Sequence, residues 1–192
     1  GGQNHALYDG ISLFNSWGIN YDIGRINPHM IKNVEVYKVG YNVPIGVRIG
    51  GVVLIDAKAG DREQLRSDAS ITNQLSSAYL NIPLFSGSSA LQIAARKTYF
   101  SFLDWSSNYE GERDFIVPNY DYSDINLKFT SALSNTHRLE VSAIASQDSY
   151  NGQIRSRQRR GLIEDTNVNS VQRGVSLKYT KRWRQGGFSR SE

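Results

Sequence analysis

The sequence predicts a mostly β protein. A small α+β unit occupies residues 1–60, and the antiparallel strands of a transmembrane β-barrel follow over residues 61–192. Three observations carry this reading. Segments after residue 60 alternate apolar and polar side chains, the period-2 signature of a strand with two unlike faces. The connections between them are short and long in turn, the asymmetry of outer-membrane barrels. Aromatic residues gather at the segment ends, where barrel strands cross the membrane–water boundary.

The elements follow in order. Ala6-Leu7-Tyr8 runs into Asp9-Gly10 and then Ile11-Ser12-Leu13-Phe14. Asp-Gly between β-formers is a tight hairpin turn. Asn27-Pro28 reads as the start of a short helix, with Asn as N-cap and Pro at the first helical position. Val34-Glu35-Val36-Tyr37 is strand-like, and Val52-Val53-Leu54-Ile55 reads as a second, buried strand. Between them Gly40, Gly46, Gly50 and Gly51 mark turns.

Six strands are expected in the second region, over about 64–74, 78–85, 90–103, 122–133, 138–147 and 171–184. The fourth sets Ile125, Leu127, Phe129 and Leu133 against Asp124, Asn126, Lys128 and Thr130. The sixth sets Val175, Leu177, Tyr179 and Trp183 against Ser176, Lys178, Thr180 and Arg182. Such strands separate two media. Ser86-Gly87-Ser88-Ser89 and Ser134-Asn135-Thr136-His137 are short links, whereas Asp104–Asp121 and Asp148–Ser170 are expected to be long loops. Tyr99, Phe100, Phe102, Tyr122 and Tyr150 fall near the long-loop ends, Phe85 and Trp183 near the other rim.

Composition narrows the function classes. The chain has no cysteine, which excludes disulfides, thiolate metal sites and a Cys nucleophile. A net charge of +4 is too mild to argue for nucleic acid. Arg155, Arg157, Arg159 and Arg160 cluster without interleaved aromatics, so a solvated loop is favoured over a phosphate site. His5, His29 and His137 lack metal-ligand spacing. No nucleophile elbow or phosphate loop occurs. Gly46-Val47-Arg48-Ile49-Gly50-Gly51 lacks the following Lys-Ser/Thr and precedes a strand, so it reads as a turn. Catalytic residues, cofactor and metal sites are therefore not expected.

Residues 1–60 resemble the C-terminal part of the plug of TonB-dependent outer-membrane transporters. The residues carrying this are Leu7-Tyr8-Asp9-Gly10-Ile11, Asn27-Pro28, Ile31 through Lys38, Gly46, Gly50-Gly51-Val52 and Lys58. Residues 61–184 resemble the opening barrel strands of the Bacteroidetes branch, through Ala95-Arg96-Lys97-Thr98-Tyr99 and Tyr122 to Lys128. Val39 and Ile45 depart from the usual pattern, but Gly40 and Gly46 keep the turn chemistry. The family's barrels have 22 strands around a plugged lumen. Six cannot close, so the chain is expected to be part of a larger polypeptide whose TonB-contacting box and N-terminal plug lie elsewhere.

The resemblance implies energised import of a glycan, peptide or metal complex across the bacterial outer membrane. TonB, a surface lipoprotein and outer-membrane lipid are the implied partners, and nucleic acid is not one. A structural barrel subunit without transport, or a soluble carbohydrate-binding or adhesin module, stands as the alternative. The plug signature would comprise Asp9, Gly10, Glu35, Tyr37, Lys38, Gly46, Arg48, Gly50 and Gly51. Glu35 and Lys38 would either pair with charges of the barrel wall or, as for Glu35, stand as an ordinary exposed strand residue, two readings of equal weight that apply to Arg48 as well; Asp9-Gly10 is a candidate for a turn. Arg96, Asn126, Lys128 and Thr130 are expected to face the lumen, where contact with the plug is favoured over lining a path. Asn15, Trp17 and Tyr21 belong to a polar–aromatic loop that would either reach the outer vestibule or pack as ordinary structure.

Overall fold

The computed structural model describes residues 5–13, 26–37, 51–99, 119–156, 162–183 and 187–191. Eleven strands form two sheets among them. The smaller sheet holds β1 (His5–Tyr8), β2 (Ile11–Leu13), β3 (Ile31–Tyr37) and β4 (Val52–Ala57), in the order β2-β1-β4-β3. β1 runs parallel to β4, and the other pairs are antiparallel. The larger sheet is an antiparallel meander of β5 (Arg66–Ile71), β6 (Leu75–Leu84), β7 (Ser89–Thr98), β8 (Asn119–Ala132), β9 (His137–Ser156), β10 (Leu162–Arg182) and β11 (Phe188–Ser191). Each of its strands pairs with its neighbour in sequence.

Local chemistry explains the turns. Asp9 and Gly10 both have positive φ, 46° and 83°, the combination a two-residue hairpin needs. Asn27 caps the single 3-10 turn Pro28–Met30, its side chain accepting from the His29 N–H at 3.0 Å. The expected helix thus stops after one turn, because the β-branched run from Ile31 enters β3 at once. No α-helix occurs among the described residues.

The larger sheet differs from expectation in three places. It has seven strands, since Phe188–Ser191 pairs with β10. Residues 148–156 and 162–170 do not form a long loop. They are the paired continuation of β9 and β10, in unbroken register from Lys181↔His137 to Leu162↔Ser156. That stretch is polar on both faces in sequence, so alternation gave no signal; backbone pairing holds it. The first expected strand also divides, with Thr72 closing a turn to β6 by accepting from the Leu75 N–H at 3.0 Å.

The burial pattern of the larger sheet is inverted relative to a water-soluble domain. On β8, Asp124, Asn126, Lys128 and Thr130 are buried, while Ile125 and Leu133 are exposed. The buried polar face is the inner one, against which the smaller sheet packs. The core is shared: Tyr8, Ile11, Leu13, Ile26, Met30 and Ile55 of the smaller unit meet Ala94 and Ile144 of the larger sheet. Full burial of such side chains contributes about 1.5–3 kcal/mol each.

Candidate functional site

The antiparallel register lines up inner-face residues in rows across the strands. One row runs Asn81, Gln92, Lys128, Ser142 and Ser176, each directly paired with the next. The row below contains Ala90, Thr130, Glu140 and Lys178, and the row above contains Tyr79, Ala94, Asn126, Ile144 and Gly174. These three rows make the contact surface for the smaller sheet.

The β1–β2 turn docks on the central row. Asp9 Oδ2 lies 2.6 Å from Lys128 Nζ and accepts from Ser142 Oγ at 2.5 Å. Its other oxygen accepts from the Ala57 N–H at 2.9 Å. Lys128 also meets Glu140 at 3.0 Å, and Glu140 meets Arg138 at 2.8 Å. The Lys128 side chain is 2% exposed and that of Asp9 is 9%. Burial raises the pKa of Asp9, but the Ala57 N–H, Lys128 and Ser142 outweigh it and hold the carboxyl below its ordinary range. Beside this pair, Gln172 donates to the Ser12 carbonyl at 2.7 Å. Ile11 packs directly on Gly174, where a Cβ would collide with it.

The linker from β4 to β5 is held differently. Gln92 donates to the Lys58 carbonyl at 2.7 Å, and Thr130 donates to the Ala59 carbonyl. Asn81 donates to the carbonyls of Asp61 and Gln64 at 2.8 and 2.9 Å and accepts from the Asp61 N–H at 2.9 Å. Gly60, at φ 81°, lies so close that a Cβ would sit 2.9 Å from both Ala90 and Asn81. Next to the linker opens a cavity of about 890 Å³. Two ion pairs cross its lining, His29–Asp68 at 3.2 Å and Arg66–Asp61 at 2.8 Å, with His29 stacked on Tyr79 at 5.3 Å.

The structure brings Asp9, Gly10, Lys128 and Thr130 of the sequence candidates together at one interface. Asn126 lies in the adjoining row and bonds Asp124, and Arg96 pairs with Asp124 at 2.8 Å and stacks over Tyr122. Glu35 lies on the exposed β3, accepting from Tyr37 at 2.6 Å and Asn33 at 3.0 Å, as an ordinary exposed strand residue would, and among the described residues the carboxylate of the smaller sheet that reaches Lys128 is that of Asp9. Tyr37 shares that exposed strand. The Gly51 carbonyl accepts from the His5 N–H at 2.9 Å, just before β4. Asn15, Trp17, Tyr21, Lys38, Gly46, Arg48 and Gly50 lie outside the described residues, as do Phe100, Phe102 and Arg184. Sequence reading missed Ser142, Gln172, Gly174, Asn81 and Gln92; their shared inner parity was the available signal. Among the described residues no three His, Cys, Asp or Glu side chains gather as a metal site.

Solved structures similar to this chain include two outer-membrane receptors of one organism. The ferripyoverdine receptor of the outer membrane of Pseudomonas aeruginosa, bound to ferripyoverdine, matches 97% of this chain at 16% identity and TM-score 0.65. The fold is that of a section of an outer-membrane receptor. A mutant of the ferric enterobactin receptor from the same organism, in complex with enterobactin, matches 96% at 18% identity and TM-score 0.61. The chain spans 26% of the first protein and 32% of the second. No protein-family model matches the sequence, and no curated protein matches it.

Proposed function

We propose that this chain is the C-terminal part of the plug (residues 1–60) and the first wall strands (residues 61–192) of a TonB-dependent importer of the bacterial outer membrane. The observation that carries the reading is the docking of the β1–β2 turn, through Asp9, on the buried polar row containing Lys128 and Ser142. A plug must fill its barrel at rest and yet be displaceable. Polar and charged contacts serve both needs, because water replaces them when the interface opens.

The outer face supports the membrane assignment. Ile125 to Leu133 on β8, Leu139 to Ala145 on β9 and Val175 to Tyr179 on β10 present an apolar band. On β10 it is bounded by Arg173 and Lys181, eight residues apart, or about 26 Å along the strand at 3.3 Å per residue. At the roughly 40° tilt of barrel strands that rises about 20 Å, most of the apolar band of about 25 Å that an outer-membrane barrel carries. The exposure of Val175 and Leu177, at 73% and 57%, disfavours a soluble module. The short turns after β6, β8 and β10 would face the periplasm, and the continuation of β9 and β10 would stand outside the cell.

By this reading, substrate binds from outside and TonB, pulling through a segment N-terminal to these residues, shifts the plug against the wall. The two solved receptors hold ferric siderophores or their ligand, which supports a metal complex among the three nutrient classes. The motifs of the Bacteroidetes branch support glycan or peptide import with a surface lipoprotein. The test is uptake by cells carrying the full-length protein, with and without TonB, over a panel of iron chelates, oligosaccharides and peptides. Loss of uptake of one panel member without TonB is expected; uptake that ignores TonB would overturn the reading.

A further inference from the structure

The outer face of the β9–β10 pair ends in a group the importer reading does not use. Lys181 lies directly across from His137 on β9 and from Ser189 on β11. Its ammonium sits 4.1 Å from the centroid of the Trp183 ring. His137 is hydrogen-bonded through Nδ1 to the Tyr179 hydroxyl, with their rings 5.7 Å apart. All four side chains share the outer face, at the foot of the apolar band, and Trp183 is half exposed.

The surroundings of this group are unlike those of Lys128 and Arg138 on the inner face, each of which meets a carboxylate, Asp9 or Glu140. Outside, at this end of the strands, the alternate residues that share Lys181's face, from His137 to Ser149 on β9, from Val171 to Trp183 on β10, and Ser189 with Ser191 on β11, include no Asp or Glu. The ammonium therefore meets no carboxylate on its own face. The Trp183 ring draws it back toward the foot of the apolar band, instead of leaving it to extend into water.

We propose that Lys181, Trp183, His137 and Tyr179 form a seat for the phosphodiester of an anionic glycerophospholipid in the leaflet on the short-turn side. Lys181 supplies the charge, His137 and the Tyr179 hydroxyl supply hydrogen-bonding groups, and Trp183 covers the glycerol region. The seat anchors the wall at a fixed depth. It rests on the membrane assignment, and the test separates the two.

The full-length protein, purified in mild detergent, is titrated with phosphatidylglycerol, and bound lipid is counted by native mass spectrometry. Lys181→Gln is expected to weaken the tightest binding about five-fold, the effect of one basic residue near an anionic surface. Lys97→Gln, at the far edge of the same outer face, is expected to leave it unchanged. Equal losses from both variants, or none from either, would overturn the seat, as would displacement of the lipid by millimolar inorganic phosphate. Heat-modified migration on gels checks that both variants keep the barrel; should Lys181→Gln lose it, Trp183→Phe serves in its place, with a smaller loss expected and no change again overturning the seat. A protein that stays in solution without detergent or lipid would instead defeat the membrane assignment itself.

Discussion

The smaller sheet is held to the larger one in two places, and the two are built on opposite principles. At the β1–β2 turn, a charged side chain leads the holding: Asp9 is gripped by Lys128 and Ser142, shut away from water, with the Gln172 bond to the Ser12 carbonyl and the Ile11 contact on Gly174 beside it. At the linker, the main chain is gripped: Asn81, Gln92 and Thr130 bond to peptide groups of Lys58, Ala59, Asp61 and Gln64. The turn is thus sensitive to the identity of one residue and to its protonation. The linker tolerates many side chains, except at Gly60, where there is no room for one. A contact made by charge can be switched, whereas a contact made to the backbone is a fixed anchor.

The largest effect should come from breaking the charged pair from the wall side. Lys128→Met leaves Asp9 and Glu140 buried without their shared cation, at a cost of about 3–5 kcal/mol to docking. Hydrogen exchange at the Ala57 amide, which donates to Asp9, should accelerate accordingly, while unchanged protection would show that the pair does not hold the turn. Next comes Gly60→Val, which adds a branched side chain at φ 81° against Ala90 and Asn81 and should cost about 1–3 kcal/mol. Protease accessibility of the linker measures it. Gly174→Ala belongs to the same range, and Ile11→Ala should relieve it in a double-mutant cycle; two additive losses would mean that the two residues do not share the contact.

Acid offers a gentler probe. The folded-state pKa of Asp9 lies below its unfolded value, so its stabilising contribution is complete above about pH 4. The contribution fades as pH falls through the depressed folded value. Asp9→Asn should abolish that part of the acid response, and the loss of Ala57 amide protection below pH 4 should be milder in the variant. Smallest of all, Arg62→Ala and Glu63→Ala, exposed on the linker, should stay within about 0.5 kcal/mol of the parent in the linker proteolysis assay. A larger loss would mean that linker side chains, and not only its backbone, bind the wall.

The same contrast explains what was legible in the sequence. The Asp9-Gly10 turn and the alternation of Asp124 to Thr130 could be read because both are local patterns. The partnership of Asp9 with Lys128 could not, because 119 residues separate them and no spacing rule joins them. For Glu35, a charge between two valines, the sequence left a wall ion pair and an ordinary exposed residue equally open, because nothing local says that β3 lies at the edge of its sheet, where Glu35 bonds its own neighbours. The continuation of β9 and β10 was hidden because a hairpin polar on both sides has no period to detect. Gln92, Gln172 and Gly174 stand on the inner parity, but which inner residues meet the smaller sheet depends on where the linker and turn cross the wall.

The topology also bears on the order of assembly. Every strand of the larger sheet pairs with the one made just before it, so that sheet can grow one hairpin at a time as the chain emerges. The smaller sheet cannot: its central pair joins His5–Tyr8 to Val52–Ile55, and its grip on the wall waits for Lys128, Ser142 and Gln172. Contacts between distant parts of a chain form slowly. In the proposed barrel, a wall that closed before β1 to β4 were seated would shut them out, so the meander would have to stay open until they are in place.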